Sequence, residues 1–192
     1  MRLWTVQPVE VWDILQKQGY FICNPEKSDY ISTDWGFKEP YDWLVNQMEL
    51  RIGKRPHRVQ YPIWAWHTRN WQHKKPDLRT IGLGKKGEKS VCIEIEIPDN
   101  QVLLSDYNAW HYVLNKWWFD DSLSEEDWEK KHEWFDSLPY TIQNKIREKS
   151  WERIFNITPF KNDWVSNGRY IQATFWILYL KDVKNIRYFT AR

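Results

Sequence analysis

The chain has 192 residues, 42% of them hydrophobic and 28% charged, with a formal net charge of +2. That composition excludes a disordered or collagen-like chain and has the size of a single globular domain, 1–192, able to bury its own core without a staple. Two cysteines exclude a disulfide framework and fit a reduced, cytoplasmic setting, and no run approaches the roughly eighteen apolar residues of a membrane span.

In chain order, residues 3–7 (Leu-Trp-Thr-Val-Gln) read as a strand. Pro8 opens a helix carrying Val11, Trp12 and Leu15 that stops at Gly19, and residues 20–23 read as a second strand. Residues 24–36 are polar and turn-rich, a loop. Tyr41, Leu44, Val45, Met48 and Ile52 recur at helical spacing up to Gly53. Residues 59–66 read as a strand with Pro62 marking an edge or bulge, and 70–87 as a long loop or loose hairpin. Val91, Ile93, Ile95 and Ile97 alternate with Cys92, Glu94 and Glu96, a strand with one buried face. Ser105 or Asp106 caps a helix bearing Trp110, Val113, Leu114 and Trp117. A second, acidic helix starts at Ser124 with Trp128 and Phe135 inward, and a third follows Thr141 with Ile142, Ile146 and Ile154. Residues 170–180 give the longest strand signal and 186–189 the last. Strands and helices do not alternate strictly, which predicts an α+β fold: small central sheets with about five helices.

Charge is distributed unevenly. Residues 67–89 hold seven basic side chains against Asp77 and Glu88, whereas 120–136 hold eight acids against Lys130 and Lys131. The basic side would attract an anion. The five histidines match no zinc spacing, so no metal is expected. There is no nucleophile motif, and Gly82-Leu83-Gly84-Lys85-Lys86-Gly87 lacks the spacing of a phosphate-binding loop. Glu94 and Glu96 share a strand face, as paired acid–base carboxylates or as ordinary exposed charges. The fifteen tryptophans are core material or, in part, the wall of a site that stacks on rings.

The opening strand, short helix, Gly19 and second strand resemble the start of the ADP-ribosyltransferase superfamily, most nearly its DNA-modifying branch. Val6 stands where that family commonly has His. The resemblance implies that Thr5 and Gln7 hold the nicotinamide ribose of NAD. It also implies that Trp64 or Trp66, in Tyr61-Pro62-Ile63-Trp64-Ala65-Trp66, stacks on nicotinamide, and that Arg69 and Arg79 pair with the pyrophosphate. The late strand that should carry a catalytic glutamate has none. Gln172 is its nearest polar surrogate, with Glu94 or Glu96 as the alternative source of an acid. As a whole the sequence resembles a bacterial group, domain-of-unknown-function family 3841, through Leu-Trp-Thr-Val-Gln, Tyr-Asp-Trp-Leu-Val, Tyr-Pro-Ile-Trp-Ala-Trp, Lys-Pro-Asp-Leu-Arg, Val-Leu-Leu-Ser-Asp and Gln-Ala-Thr-Phe-Trp. The leading expectation is therefore an NAD- or ADP-ribose-binding domain acting on nucleic acid or protein. Its rivals are a non-enzymatic nucleic-acid-binding module using the same Trp and Lys/Arg groups, and a protein-interaction domain using the acidic helix.

Overall fold

The computed structural model describes residues 1–28 and 36–192. The fold is α+β. Its centre is one six-stranded sheet built from β1 (Arg2–Pro8), β3 (Ile63–Arg69), β4 (Lys89–Glu96), β5 (Leu103–Asp106), β8 (Tyr170–Phe175) and β10 (Val183–Thr190). The spatial order is β10-β4-β1-β3-β8-β5, and every neighbouring pair is antiparallel. Two further sheets have two strands each, β2 (Tyr20–Phe21) with β9 (Leu178–Tyr179) and β6 (Phe160–Lys161) with β7 (Ser166–Asn167). Among the described residues there are five α-helices: α1 (Val9–Gln18), α2 (Lys38–Ile52), α3 (Tyr107–Leu114), α4 (Glu125–Asp136) and α5 (Tyr140–Ser150). None of these is long and apolar enough to cross a membrane.

Alternation along the strands gives the sheet two buried faces. On one, Leu3, Ile63, Ala65, Ile93, Ile95 and Phe175 meet Trp12 and Leu15 of α1. On the other, Leu103 packs with Leu44 and Met48 of α2 and with Trp110 and Val113 of α3. The alternating run 91–97 forms the predicted strand because its isoleucines reach the α1 core. Gly19 adopts φ 78° and donates its N–H to Leu15 O, closing α1 as expected.

Several expected elements differ. The strand expected at 59–66 begins only after Pro62 and runs to Arg69. The long signal at 170–180 splits at Trp176, whose indole donates to Gly53 O, so the chain leaves the main sheet and pairs with β2 instead. α3 ends at Leu114, because Lys116 turns to φ 55° and carries Trp117 out to 58% exposure. Trp128 is also exposed, whereas Phe135 is buried, so α4 buries a narrower stripe than expected. Ile142 of α5 lies at the surface, and Ile154 is buried from the 3₁₀ turn that follows. The basic stretch 70–87 holds no helix and no named strand, and the expected loop 24–36 lies in part outside the described residues.

Candidate functional site

β1 and β3 are neighbours joined at a single register position, Trp4 opposite Trp66, while β1 pairs with β4 along all seven of its residues from Arg2 to Pro8. Past Trp4 the two strands part. Thr5 spans the parting with its side chain: its hydroxyl donates to Trp64 O at 2.8 Å and accepts from Gln7 Nε2 at 2.7 Å. A cleft of about 370 Å³ opens beside this divergence, within the range of small-ligand sites. Because the strands are apart there, residues of both sheet faces border it. Gln7 comes from one side, and Trp64, Trp66 and Gln172 from the other.

The opposite wall is α3. Asp106 caps it by accepting from the N–H groups of Asn108 and Ala109, at 2.9 and 3.0 Å, and also accepts from Gly168 N at 2.7 Å. Helical spacing then puts Tyr107, Trp110, His111 and Leu114 on one face, and all four border the cleft. Tyr107 sits 5.2 Å from the Trp66 ring and Trp110 5.4 Å from that of Trp64, both tilted. The mouth is closed by the turn around Gly82 and Gly84, with Glu88 and Ser90 below it.

Two donors at this site lack protein partners. Trp64 Nε1 is buried without a hydrogen bond, and among the described residues the Gln172 amide has none. A buried N–H left unmade costs about 1–3 kcal/mol. Glu88 is the single carboxylate on the cleft wall among the described residues, and no Lys or Arg side chain borders it.

A bulge decides where Arg69 points. The register between β3 and β8 shifts between Trp66 and Thr68, leaving His67 as the extra residue. Without it, Trp66 and Arg69 would face opposite sides; with it they share one, and the guanidinium lies 4.6 Å over the Trp66 ring. Arg69 therefore backs the cleft wall from outside. The series continues along the surface: Arg69 lies 6.0 Å over Tyr170, Arg169 5.1 Å over Tyr170 and 5.2 Å over Trp71, and Lys161 5.7 Å over Trp71. Trp71 holds its place in a two-residue turn with φ 59°, a backbone region that bulky residues rarely enter.

Of the residues expected to share one site, the structure brings together Gln7, Trp64, Trp66 and Gln172, with Arg69 behind Trp66. Three are elsewhere. Thr5 is fully buried on the Leu3 face and belongs to the sheet, not to the cleft wall. Glu94 faces Arg2 at 3.4 Å, and its companion Glu96 faces Lys184 at 3.6 Å, both away from the cleft. Arg79 lines a separate depression beside β10, where Asp77 grips it through Nε at 2.9 Å and Nη2 at 2.7 Å. The local Asp-x-Arg spacing makes that fork self-contained. Sequence reasoning missed Glu88, Tyr107 and His111. The i, i+4 spacing of Tyr107 and His111 after a capping Asp was the available signal; Glu88 had none beyond its place before the Ile-rich strand.

The family's sequence profile matches residues 2–184, nearly the whole length that carries this sheet and cleft. The chain belongs to the domain-of-unknown-function family DUF3841. No curated protein and no solved structure matches it. Among the described residues no group of three or more His, Cys, Asp or Glu side chains is arranged to hold a metal ion.

Proposed function

We propose that the cleft binds the base and ribose of a nucleotide, NAD or ADP-ribose being the leading candidates. The observation that carries this reading is the grouping of the Trp66 and Tyr107 rings with the side-chain amides of Gln7 and Gln172 around one cleft where the sheet parts. A planar base would lie against the aromatic faces, and the amides of Gln172 and Gln7 would meet carbonyl or hydroxyl groups. With no Lys or Arg on the wall among the described residues, the phosphates would lie toward the mouth, beside the Gly82–Gly84 turn. Glu88, which lines the cleft, and not Glu94, would be the acid acting on a bound ribose. In a transferase reading it would stabilise positive charge developing at the anomeric carbon. Cytoplasmic location is part of this proposal.

The test is calorimetric titration with NAD and with ADP-ribose. Trp66→Ala, which removes a ring face from the wall, should weaken binding about tenfold, the contribution of one base–aromatic stack. Glu88→Gln should leave binding in place and abolish any cleavage of NAD. Failure of both nucleotides to bind at millimolar concentration overturns the reading.

The alternating ladder from Trp66 through Arg69, Tyr170, Arg169 and Trp71 to Lys161 favours a second reading, a single-stranded nucleic-acid surface. Rings stack on bases while cations meet phosphates. No carboxylate among the described residues pairs with these three cations. Arg169→Ala should weaken oligonucleotide binding and flatten its salt dependence without changing nucleotide affinity.

A further inference from the structure

A second concavity, independent of the nucleotide cleft, lies between α3, the segment 119–123, α4 and the β6–β7 hairpin, with a volume of about 870 Å³. Five aromatic side chains stand among its polar lining: Tyr112 and Phe119, stacked at 4.6 Å, with Trp128, Phe160 and Trp164. The last three are 39%, 45% and 47% exposed, large apolar area left in water without a core role. The hairpin is fixed across the opening, since Asn162 Nδ2 donates to Leu123 O at 3.0 Å and its Oδ1 accepts from Trp164 N at 2.9 Å.

At the base of these walls is Asp120, with a side chain only 8% exposed. One of its oxygens accepts from Ser122 N at 2.9 Å; the other lies 3.3 Å from His132 Nε2. Its neighbour Asp121 is matched by Lys131 at 2.7 Å and Arg153 at 3.3 Å. Among the described residues no Lys or Arg pairs with Asp120. A buried carboxylate without a permanent cation is costly, and so is the unpartnered buried hydroxyl of Ser122 beside it. The surrounding segment 120–136, with eight acids against two lysines, draws positive charge toward the opening.

We propose that this concavity is a binding site for an organic cation of the alkylated-ammonium class, held by its aromatic side chains and by Asp120. Ring faces attract such a cation because their quadrupole is negative at the centre, and alkylation lowers its cost of leaving water. A metal ion fits poorly, because Asp106 is engaged in capping α3 and Asp121 is paired with Lys131 and Arg153, which leaves Asp120 as a single carboxylate ligand. Arg153 also lines the concavity, paired with Asp121 at 3.3 Å, and Asp106, Asp120 and Asp121 outnumber it, so the local charge disfavours anions.

The experiment is titration of the full chain with choline, with a short peptide carrying trimethyllysine, and with 3,3-dimethylbutan-1-ol, the neutral isostere of choline. At least one cation should bind, and the neutral isostere should bind about tenfold more weakly or not at all. Choline binding assigns a free small cation; binding of the peptide alone assigns a modified side chain of a partner protein. Trp164→Ala, at an exposed hairpin position that leaves folding intact, should weaken the cation about tenfold, and Asp120→Asn by more. Should Asp120→Asn fail to fold, Trp164→Ala and the isostere still decide. No binding of either cation, equal binding of the isostere, or wild-type affinity in Trp164→Ala would overturn the proposal.

Discussion

Replacing Thr5 with valine separates a role in the sheet from a role at a ligand. Valine matches threonine in shape, so the substitution removes one hydroxyl and opens no cavity. Two hydrogen bonds vanish, the donation to Trp64 O at 2.8 Å and the acceptance from Gln7 Nε2 at 2.7 Å. Each contributes about 1 kcal/mol net. The Gln7 amide is half-buried and turns to solvent, recovering much of its share. The Trp64 carbonyl has no such recourse beside a side chain that is fully buried, and an unmet buried acceptor costs about 1–3 kcal/mol. The added methyl returns a fraction of a kcal/mol through burial, leaving a net loss of about 2 kcal/mol. For a chain of this size that corresponds to a fall in Tm of about 4–8 °C. Urea unfolding should show a lower midpoint with an unchanged m-value, and Thr5→Ser should restore most of the loss. Nucleotide affinity measured well below the Tm should change little. Wild-type stability in Thr5→Val, or a loss of affinity without a loss of stability, would refute the assignment of this hydroxyl to the strand junction.

Asp106→Ala strips three backbone N–H groups of their acceptor and leaves Gly168 N buried, so chemical denaturation should show a loss of about 3 kcal/mol, with Asp106→Asn retaining part of it. His67 stacks on His73 at 4.1 Å, and burial, reinforced by the charge of His73, lowers its pKa to about 4. The folded state then binds fewer protons than the unfolded one between pH 4 and 6.5. Stability should fall as pH drops through that window, and His67→Gln should flatten the fall in Tm. Burial pushes the Cys23 and Cys92 thiols up to about 11, so both should react slowly with thiol reagents at pH 7.5 until the protein is unfolded.

Local pattern was readable wherever it was long and clean. The alternation Val91, Ile93, Ile95 and the heptad-like spacing from Tyr41 to Ile52 both found their elements, because each buries one face against a complete core. β5 was not readable: Leu103 to Asp106 is too short to show a period, and it is a strand only because β8 offers it an edge. The split of the 170–180 run depended on Gly53 meeting the Trp176 indole more than a hundred residues away in sequence. In the site, ring-bearing residues announced themselves by type, and Trp64, Trp66 and Gln172 do gather. Thr5 and Arg79 went elsewhere for reasons of register and of a local acid, which type alone does not reveal. The bulge at His67, which turns Arg69 toward Trp66, left no trace in the residue pattern.

The parting of β1 from β3 divides the sheet into halves with different histories during synthesis. β3, β5 and β8 all lie before residue 176, so that half is complete in the chain before β10. The other half joins β1, β4 and β10, and β10 spans Val183–Thr190. Until it arrives, one edge of β4 stands unpaired, beside Val91, Ile93 and Ile95, residues that are fully buried in the finished fold. An open edge next to such side chains is a template for another chain. A chain cut before residue 183 should therefore aggregate through that edge.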